Sequence, residues 1–255
     1  MKGSLAMTAT PDTTARTSRP AYPPALLFDL DGTLIDSVYQ HVLAWHEALL
    51  DAGIELSVWK LHRRIGMSGG LFVSALMRET GLDLSAADIE ALQQAHADEY
   101  TAQASSVRPL PGAAELLAHL TERGVRWTIA TSGRAATARL ALPLLGLSAS
   151  TPMVTRDMVR HAKPDPDLFL AAAAQLRVEP RDAMVVGDSV WDLLAARRAG
   201  SLGIGLMSGG YGREELERAG AYRVYADPAE LLARADELGV RGLTHGAGPL
   251  APGPQ

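Results

Sequence analysis

Cysteine is absent from the 255 residues of the chain. This absence excludes disulfide bonds, thiolate metal sites and a cysteine nucleophile. The chain also lacks any run of the ~18 consecutive apolar residues that a membrane span requires. A surplus of positive charge is missing too, since the formal net charge is −5 and no long basic run occurs. We therefore expect neither nucleic acid nor a membrane among its partners.

The composition is that of a folded protein with a sizeable core. Hydrophobic residues make up 47% of the chain and charged residues 21%, so extensive disorder is not expected. Residues 1–24 are rich in Thr, Pro, Ser and Arg and lack the apolar centre of a secretory signal, which predicts a disordered tail or tag. The Gly- and Pro-rich residues 241–255 predict a second disordered tail. We expect a cytoplasmic protein.

A short apolar run, Ala25 to Phe28, predicts a buried strand that ends in two carboxylates, Asp29 and Asp31, followed by Gly32. Side chains at positions i and i+2 of an extended chain point to the same side. Charges at the end of a buried strand need a metal, a cation or water. The pattern favours a site over the alternative, which is an ordinary Asp-Gly turn.

The hydrophobic pattern after this strand divides the chain into a helical block and an alternating block. Residues 37–107 show helical spacing and no convincing strand, which predicts an inserted helical domain. Beyond it, apolar strands alternate with helices, among them helices at 135–145 and 193–199. We therefore predict an α/β fold, a doubly wound, mainly parallel sheet built from residues 25–36 and 108–240, with an all-helical insertion.

Polar residues follow the predicted strands at the edge where open α/β sheets bind ligands. Thr131, Ser132 and Gly133 follow one strand, Asp188 and Asp192 follow another, and Lys163 precedes a helix. Hydroxyl, ammonium and carboxylate groups together suit a phosphate ester and Mg²⁺, which prefers oxygen ligands. Each group taken alone has a plainer explanation: a helix cap, a solvated lysine or a Gly-Asp-Ser turn.

The segment Asp29-Leu30-Asp31-Gly32-Thr33-Leu34-Ile35-Asp36-Ser37 resembles the first signature of the haloacid dehalogenase superfamily in its phosphatase form. Thr131, Lys163 and the pair Asp188 and Asp192 match the second, third and fourth motifs. The resemblance implies that Asp29 is a nucleophile forming an aspartyl-phosphate and that Asp31 is the general acid and base.

The same resemblance assigns the remaining motif residues. Thr131 would bind the phosphoryl group and Lys163 would neutralise its charge. Mg²⁺ would be held by Asp29, Asp188 and the main-chain carbonyl of Asp31. Asp192 would either bind the metal or hold Lys163.

Only 30 residues separate Ser132 from Lys163, so the insertion at 37–107 is the single cap. It resembles the helical cap of phosphoglycolate phosphatases and β-phosphoglucomutases. Predicted substrate-binding residues come from the core and from the cap: Gly32, Thr33, Ser132, Gly133, His41, Arg64 and Ser68.

Other features of the cap have two interpretations. The segment from Arg63 to Gly70 either faces the active site or simply connects helices. His41 and Trp45 either line a sugar pocket or pack in the core. His46, His96, His119 and His245 are expected at the surface.

The family resemblance favours Mg²⁺-dependent hydrolysis of a small phosphorylated metabolite by a monomer or homodimer. A phosphomutase acting on a sugar phosphate is the alternative, although Thr33 and Gly69 stand where mutases carry a smaller apolar residue and an arginine. A non-catalytic phosphate-binding module is the second alternative.

Overall fold

The computed structural model describes residues 24–240. The predicted tails at 1–24 and 241–255 lie outside this range, apart from Pro24. Within the range, no helix is long and apolar enough to cross a membrane.

Within residues 24–240, six strands form a parallel sheet: β1 (Ala25–Phe28), β4 (Trp127–Ala130), β5 (Met153–Val154), β6 (Ala183–Gly187), β7 (Leu202–Leu206) and β8 (Ala221–Tyr225). Their order in the sheet is β5-β4-β1-β6-β7-β8. The first strand lies between β4 and β6, so the strand order reverses at β1. Ligands bind at such a reversal, outside the carboxyl ends of the strands.

Two short strands, β2 (Ile35–Asp36) and β3 (Arg108–Pro109), pair antiparallel. Everything between them is helical or irregular, so the expectation of no strand between Ser37 and Val107 is confirmed. Four helices fill this insertion: α1 (Val38–Asp51), α2 (Val58–His62), α3 (Gly69–Thr80) and α4 (Ala86–Gln103). The two strands join the insertion to the rest of the chain.

In the part of the chain that the structure describes, six further α-helices accompany the main sheet. They are α5 (Ala113–Glu122), α6 (Ala135–Ala138), α7 (Asp167–Gln175), α8 (Val190–Ala199), α9 (Arg213–Ala219) and α10 (Pro228–Ala233). The helix predicted at 135–145 is α-helical only to Ala138 and continues as a 3₁₀ segment that contains Pro143, because proline cannot donate an α-helical hydrogen bond. The helix predicted from 193 begins at Val190, since Ser189 and Asp192 form a capping box.

Both faces of the sheet are buried, which produces the continuous apolar pattern of its strands. Leu26 and Phe28 of β1 belong to one core, on the side of α5, whereas Ala25 and Leu27 belong to the other, with Phe169 of α7. A separate core inside the insertion contains Trp45, Phe72 and seven other buried side chains. The predicted doubly wound α/β fold with an inserted helical cap is confirmed.

Candidate active site

The first motif lies where β1 ends, between its neighbours β4 and β6. The side chain of Asp29 is buried, and Gly32 has a φ of 78°, which turns the chain out of the strand. Thr33 Oγ1 donates a hydrogen bond of 2.9 Å to Asp188 Oδ1. Thr33, predicted to bind substrate, therefore contacts a carboxylate of the fourth motif.

Lys163 is fully buried and contacts two carboxylates. Its Nζ forms an ion pair with Asp29 Oδ1 and lies 2.7 Å from Asp192 Oδ1. Burial disfavours the ammonium, but the two carboxylates outweigh burial and raise the pKa of Lys163. The solvated lysine that the sequence left open as an alternative is not what the structure contains.

The fourth motif supplies two buried carboxylates with different surroundings. Asp192 Oδ2 accepts hydrogen bonds from Ser189 Oγ at 2.5 Å and Ser189 N at 3.1 Å, while its Oδ1 faces Lys163. Asp188 accepts from Thr33, and burial raises its pKa well above the ordinary value. Carboxylate oxygens of Asp29, Asp188 and Asp192 lie within 4.8 Å of one another. Such a group of hard oxygen donors suits a divalent cation.

The loop after β7 packs against the carboxylate of Asp188. Ser208 Oγ donates to the carbonyl of Gly32 at 2.6 Å. A Cβ atom at Gly209 would overlap the Asp188 carboxylate. Neither residue is predicted from the sequence, because the Met-Ser-Gly-Gly segment that contains them carries no motif.

The second motif does not cap a helix, although its sequence allowed that interpretation. Thr131 Oγ1 accepts a hydrogen bond from Gly133 N at 2.9 Å, and the N-cap of α6 is Arg134. Ser132 Oγ donates to the carbonyl of Gly66 in the cap at 3.0 Å. Ser132 thus connects the core to the cap.

A cavity of about 370 Å³ opens between the core and the cap and reaches the motif residues. Asp29, Asp31, Thr131, Ser132 and Gly133 line it from the core. The lining residues from the cap helices include His41, Trp45, Phe72, Gln93 and His96. The segment from Arg63 to Gly70, called the cap segment below, adds Arg64, Ile65, Gly66, Met67, Gly69 and Gly70. Asp29, Asp31 and the second motif therefore share one cavity with the segment from Arg63 to Gly70.

Asp31 is held by the beginning of the cap. Its Oδ1 accepts from Ser37 Oγ at 2.7 Å and lies 3.1 Å from His41 Nε2. Burial opposes ionisation of Asp31, but His41 and Ser37 prevail and lower the pKa of this carboxyl. His41, for which a sugar pocket and core packing were both open, lines the cavity and contacts Asp31.

His96, which the sequence predicted at the surface, is half-buried and lines the cavity. Its Nε2 lies 3.1 Å from His41 Nδ1, and its ring stacks on Trp45 with 4.3 Å between centroids. Burial and the neighbouring His41 hold the pKa of His96 well below the ordinary value. His96 belongs to a largely polar helix, and no sequence pattern in that helix predicts which of its side chains lines the cavity.

Arg64 and Ser68 take roles within the cap itself. The guanidinium of Arg64 donates to Glu79 and, at 3.1 Å, to the carbonyl of Lys60. Ser68 is buried, accepts from Leu71 N at 3.5 Å and caps α3. Arg64 lines the cavity while its guanidinium holds these two partners, whereas Ser68 is not among the lining residues.

The cap segment is anchored to the core on the side away from the cavity. The carbonyl of Arg63 accepts from Trp191 Nε1 at 3.3 Å and from Tyr211 Oη at 3.0 Å. The Arg63 guanidinium lies over the Tyr211 ring and pairs with Glu215. Trp191 therefore packs beneath the cap segment.

Comparison with known proteins agrees with the motifs. The model of the haloacid dehalogenase-like hydrolase family matches residues 23–200. A phosphoglycolate phosphatase from Xylella fastidiosa is 37% identical over 182 residues, which cover 71% of this chain and 78% of the relative. Hexitol phosphatase A from Escherichia coli is 33% identical over 176 residues, which cover 68% of this chain and 78% of the relative.

The crystal structure of a hydrolase from Pseudomonas syringae is similar over nearly the whole described range. It superposes with a TM-score of 0.82 at 50% identity, covering 84% of this chain and 98% of that one. The predicted resemblance to phosphoglycolate phosphatases is confirmed, and so is the prediction of an enzyme. The chain belongs to the haloacid dehalogenase-like hydrolase family and is a phosphatase of that family.

Proposed function

We propose that this chain hydrolyses small phosphate monoesters with Mg²⁺, through a phospho-enzyme formed on Asp29. The observation that carries the proposal is the convergence of Asp29, Asp31 and Thr131 on one cavity, with Lys163 and Asp188 buried directly behind them. A nucleophilic carboxylate, a second carboxylate for proton transfer and a buried cation are what such a reaction requires.

The donor set fits a magnesium ion. Asp29 and Asp188 would hold it through carboxylate oxygens, and the resemblance adds the main-chain carbonyl of Asp31. We propose that Asp192 holds Lys163 and does not bind the metal, because Lys163 and Ser189 already contact its two carboxylate oxygens. When bound, the ion supplies the positive charge that lets an anionic carboxylate approach an anionic phosphate.

The chain's own residues carry out two displacements. In the first, an Asp29 oxygen bonds to phosphorus while the ester P–O bond breaks, and the leaving oxygen takes a proton from Asp31. In the second, a water oxygen bonds to phosphorus, Asp31 takes its proton, and the bond to Asp29 breaks. Thr131 and the ammonium of Lys163 stabilise the charge on the phosphoryl oxygens in both transition states.

The lowered pKa of Asp31 suits the second displacement directly, since an ionised carboxylate can accept a proton from water. For the first displacement Asp31 must carry a proton. A substrate phosphate brings negative charge next to Asp31, and like charge raises a carboxyl pKa. The arriving substrate thus favours the protonated form that the leaving group needs.

The cavity suits the organic part of a sugar-, polyol- or hydroxy-acid phosphate. Its volume of about 370 Å³ lies in the range of small-molecule pockets. Trp45 and Phe72 offer apolar ring surface, and His41 and Gln93 offer hydrogen-bonding groups. Two relatives named for phosphoglycolate and hexitol phosphates support this class of substrate.

The experiment is phosphate release from a panel of phosphomonoesters, with Mg²⁺ and with a chelator, for the wild type and Asp29→Asn. We expect metal-dependent turnover that Asp29→Asn abolishes. Asp36→Asn is the matched control, because Asp36 lies in the same motif but is exposed, and it should retain wild-type activity.

Two results would contradict the proposal. Isomerisation of sugar phosphates without phosphate release would identify a mutase. Absence of both reactions in a folded protein that still binds phosphate would identify a binding module.

A further inference from the structure

The general acid of this site is connected to a cap helix through a pair of histidines. Asp31 Oδ1 lies 3.1 Å from His41 Nε2, and His41 Nδ1 lies 3.1 Å from His96 Nε2. His41 is in α1, and His96 comes from α4, 55 residues later. The three side chains form one chain of hydrogen bonds along the wall of the cavity.

The direction of these hydrogen bonds follows from their chemistry. An ionised Asp31 can only accept, so His41 Nε2 carries the hydrogen toward it. When His41 is neutral, its Nδ1 has a lone pair to which His96 Nε2 donates; when His41 is protonated, its Nδ1 donates to His96 Nε2. In both cases the hydrogen bond to His96 is compatible with a hydrogen on His41 Nε2 that is donated to Asp31.

Ring stacking fixes His41 in the plane that these hydrogen bonds require. Tyr100, one helical turn beyond His96 on α4, stacks on His41 with 4.0 Å between centroids and an interplanar angle of 3°. His96 in turn stacks on Trp45. The helix α4 therefore contacts His41 in two ways: His96 forms a hydrogen bond at the edge of the ring, and Tyr100 stacks on its face.

We propose that His96 is a positioning residue, which orients His41 so that Asp31 is correctly placed to protonate the leaving group. The proposal rests on the proposed function, because it assigns His96 a part in the proton transfer by Asp31. His96 acts through His41 and does not itself exchange a proton with substrate. Its contribution is accordingly greatest for substrates whose leaving group needs a proton.

The test compares two esters that differ in this need. The alkoxide leaving group of glycerol phosphate must be protonated, whereas p-nitrophenolate leaves without a proton. His96→Phe keeps a ring against Trp45 but removes the hydrogen bond. We expect it to lower the single-turnover rate of glycerol phosphate cleavage, which excludes the second displacement that both esters share, about 10-fold or more, a fraction of the usual effect of a general acid. The corresponding rate for p-nitrophenyl phosphate should fall by no more than about twofold.

His96→Gln is the conservative variant, since its amide can reach the position of Nε2, and we expect it to restore most of the glycerol phosphate activity. His119→Phe is the matched control, as His119 lies in α5, outside the cavity-lining set. It should leave both rates unchanged.

Equal losses on both esters in His96→Phe would overturn the proposal in favour of a packing role. A rise in KM for glycerol phosphate with unchanged kcat would overturn it in favour of a substrate contact. Asp31→Asn distinguishes a failure of the proposed function from a failure of the role proposed for His96. If this variant keeps full activity on glycerol phosphate, the proposed function itself fails; if it is inactive while His96→Phe is normal, only the role of His96 fails.

Discussion

Lys163 Nζ lies 2.7 Å from Asp192 Oδ1, and neither side chain is exposed to solvent. Removing one partner of a buried ion pair leaves the other charge without compensation, which typically costs about 3–5 kcal/mol. We expect Asp192→Asn to lower the free energy of unfolding by about 3 kcal/mol, the lower end of that range because Lys163 keeps Asp29. Urea unfolding monitored by circular dichroism measures the change.

Asp165→Asn provides the control for this prediction. Asp165 pairs with Arg198 at 3.6 Å on the surface, where both side chains are more than two-fifths exposed. Exposed pairs contribute about 0–1 kcal/mol. A loss in Asp192→Asn no larger than the loss in Asp165→Asn would show that Asp192 does not compensate a buried charge.

The acidic cluster makes stability depend on pH and on metal. Burial raises the pKa of Asp29 from 3.8 to about 7, and the pKa of Asp188 moves in the same direction. At these two carboxyls the folded protein therefore binds protons more tightly than the unfolded chain, so their contribution to stability falls as pH rises from about 4 to about 7. We expect Mg²⁺ to bind the ionised carboxylates, and therefore to raise Tm at pH 8 and much less at pH 5.

Asp188→Asn tests which residue is responsible. It removes one buried charge, so in the presence of chelator at pH 8 its Tm should equal or exceed that of the wild type. The Mg²⁺-dependent increase should disappear. Thermal unfolding at both pH values, with chelator and with Mg²⁺, measures these effects, and an unchanged Mg²⁺ response in Asp188→Asn would exclude this residue as a ligand.

The sequence predicted those features that arise within a short segment of chain. The strand from Ala25 to Phe28, its acidic end and the alternation that follows are local patterns, and they determine where the sheet places Asp29. The helical insertion was equally clear, because apolar residues recur at helical spacing throughout it. Fold and motif positions were thus accessible from sequence alone.

Features that depend on packing between distant segments were not accessible. His96 is separated from His41 by 55 residues, and only the packing of α4 against α1 brings the two rings together. The choice between the two roles of Asp192 likewise depends on how α8 approaches Lys163. The sequence around Ser68 is equally suited to a loop that lines a pocket and to the N-cap of α3, which is what the structure contains.

Gly209 leaves the space that the Asp188 carboxylate occupies. A methyl group at this position would overlap Asp188 Oδ2, so the carboxylate must move. We expect Gly209→Ala to weaken Mg²⁺ binding about 10-fold or more, an effect typical of residues that support a metal ligand. The Mg²⁺ concentration that gives half-maximal phosphate release measures it.

Gly212→Ala is the matched control. Gly212 lies three residues later, has a negative φ of −74°, and its added Cβ would find its nearest neighbour at 3.6 Å. It should keep the Mg²⁺ dependence of the wild type. If Gly209→Ala shows that same dependence, the space beside Asp188 has no part in metal binding.

The carbonyl of Arg63 accepts hydrogen bonds from two core side chains, Trp191 and Tyr211. Trp191→Phe and Tyr211→Phe each leave the other donor, so each should cost about 1 kcal/mol. The double variant leaves the carbonyl without either donor and should cost more than the sum of the two. Because the segment also lines the cavity, we expect its loosening to raise KM.

Trypsin measures the loosening directly, since it cleaves after Arg63 and Arg64. Cleavage at these two residues should be slow in the wild type, faster in each single variant and fastest in the double variant. Tyr222→Phe is the control, because Tyr222 is an exposed residue of β8, and trypsin should cleave this variant at the same rate as the wild type. Equal cleavage rates in the wild type, both single variants and the double variant would mean that contacts other than these two hydrogen bonds, such as Ser132 with Gly66 and Arg63 with Glu215, suffice to hold the cap segment on the core.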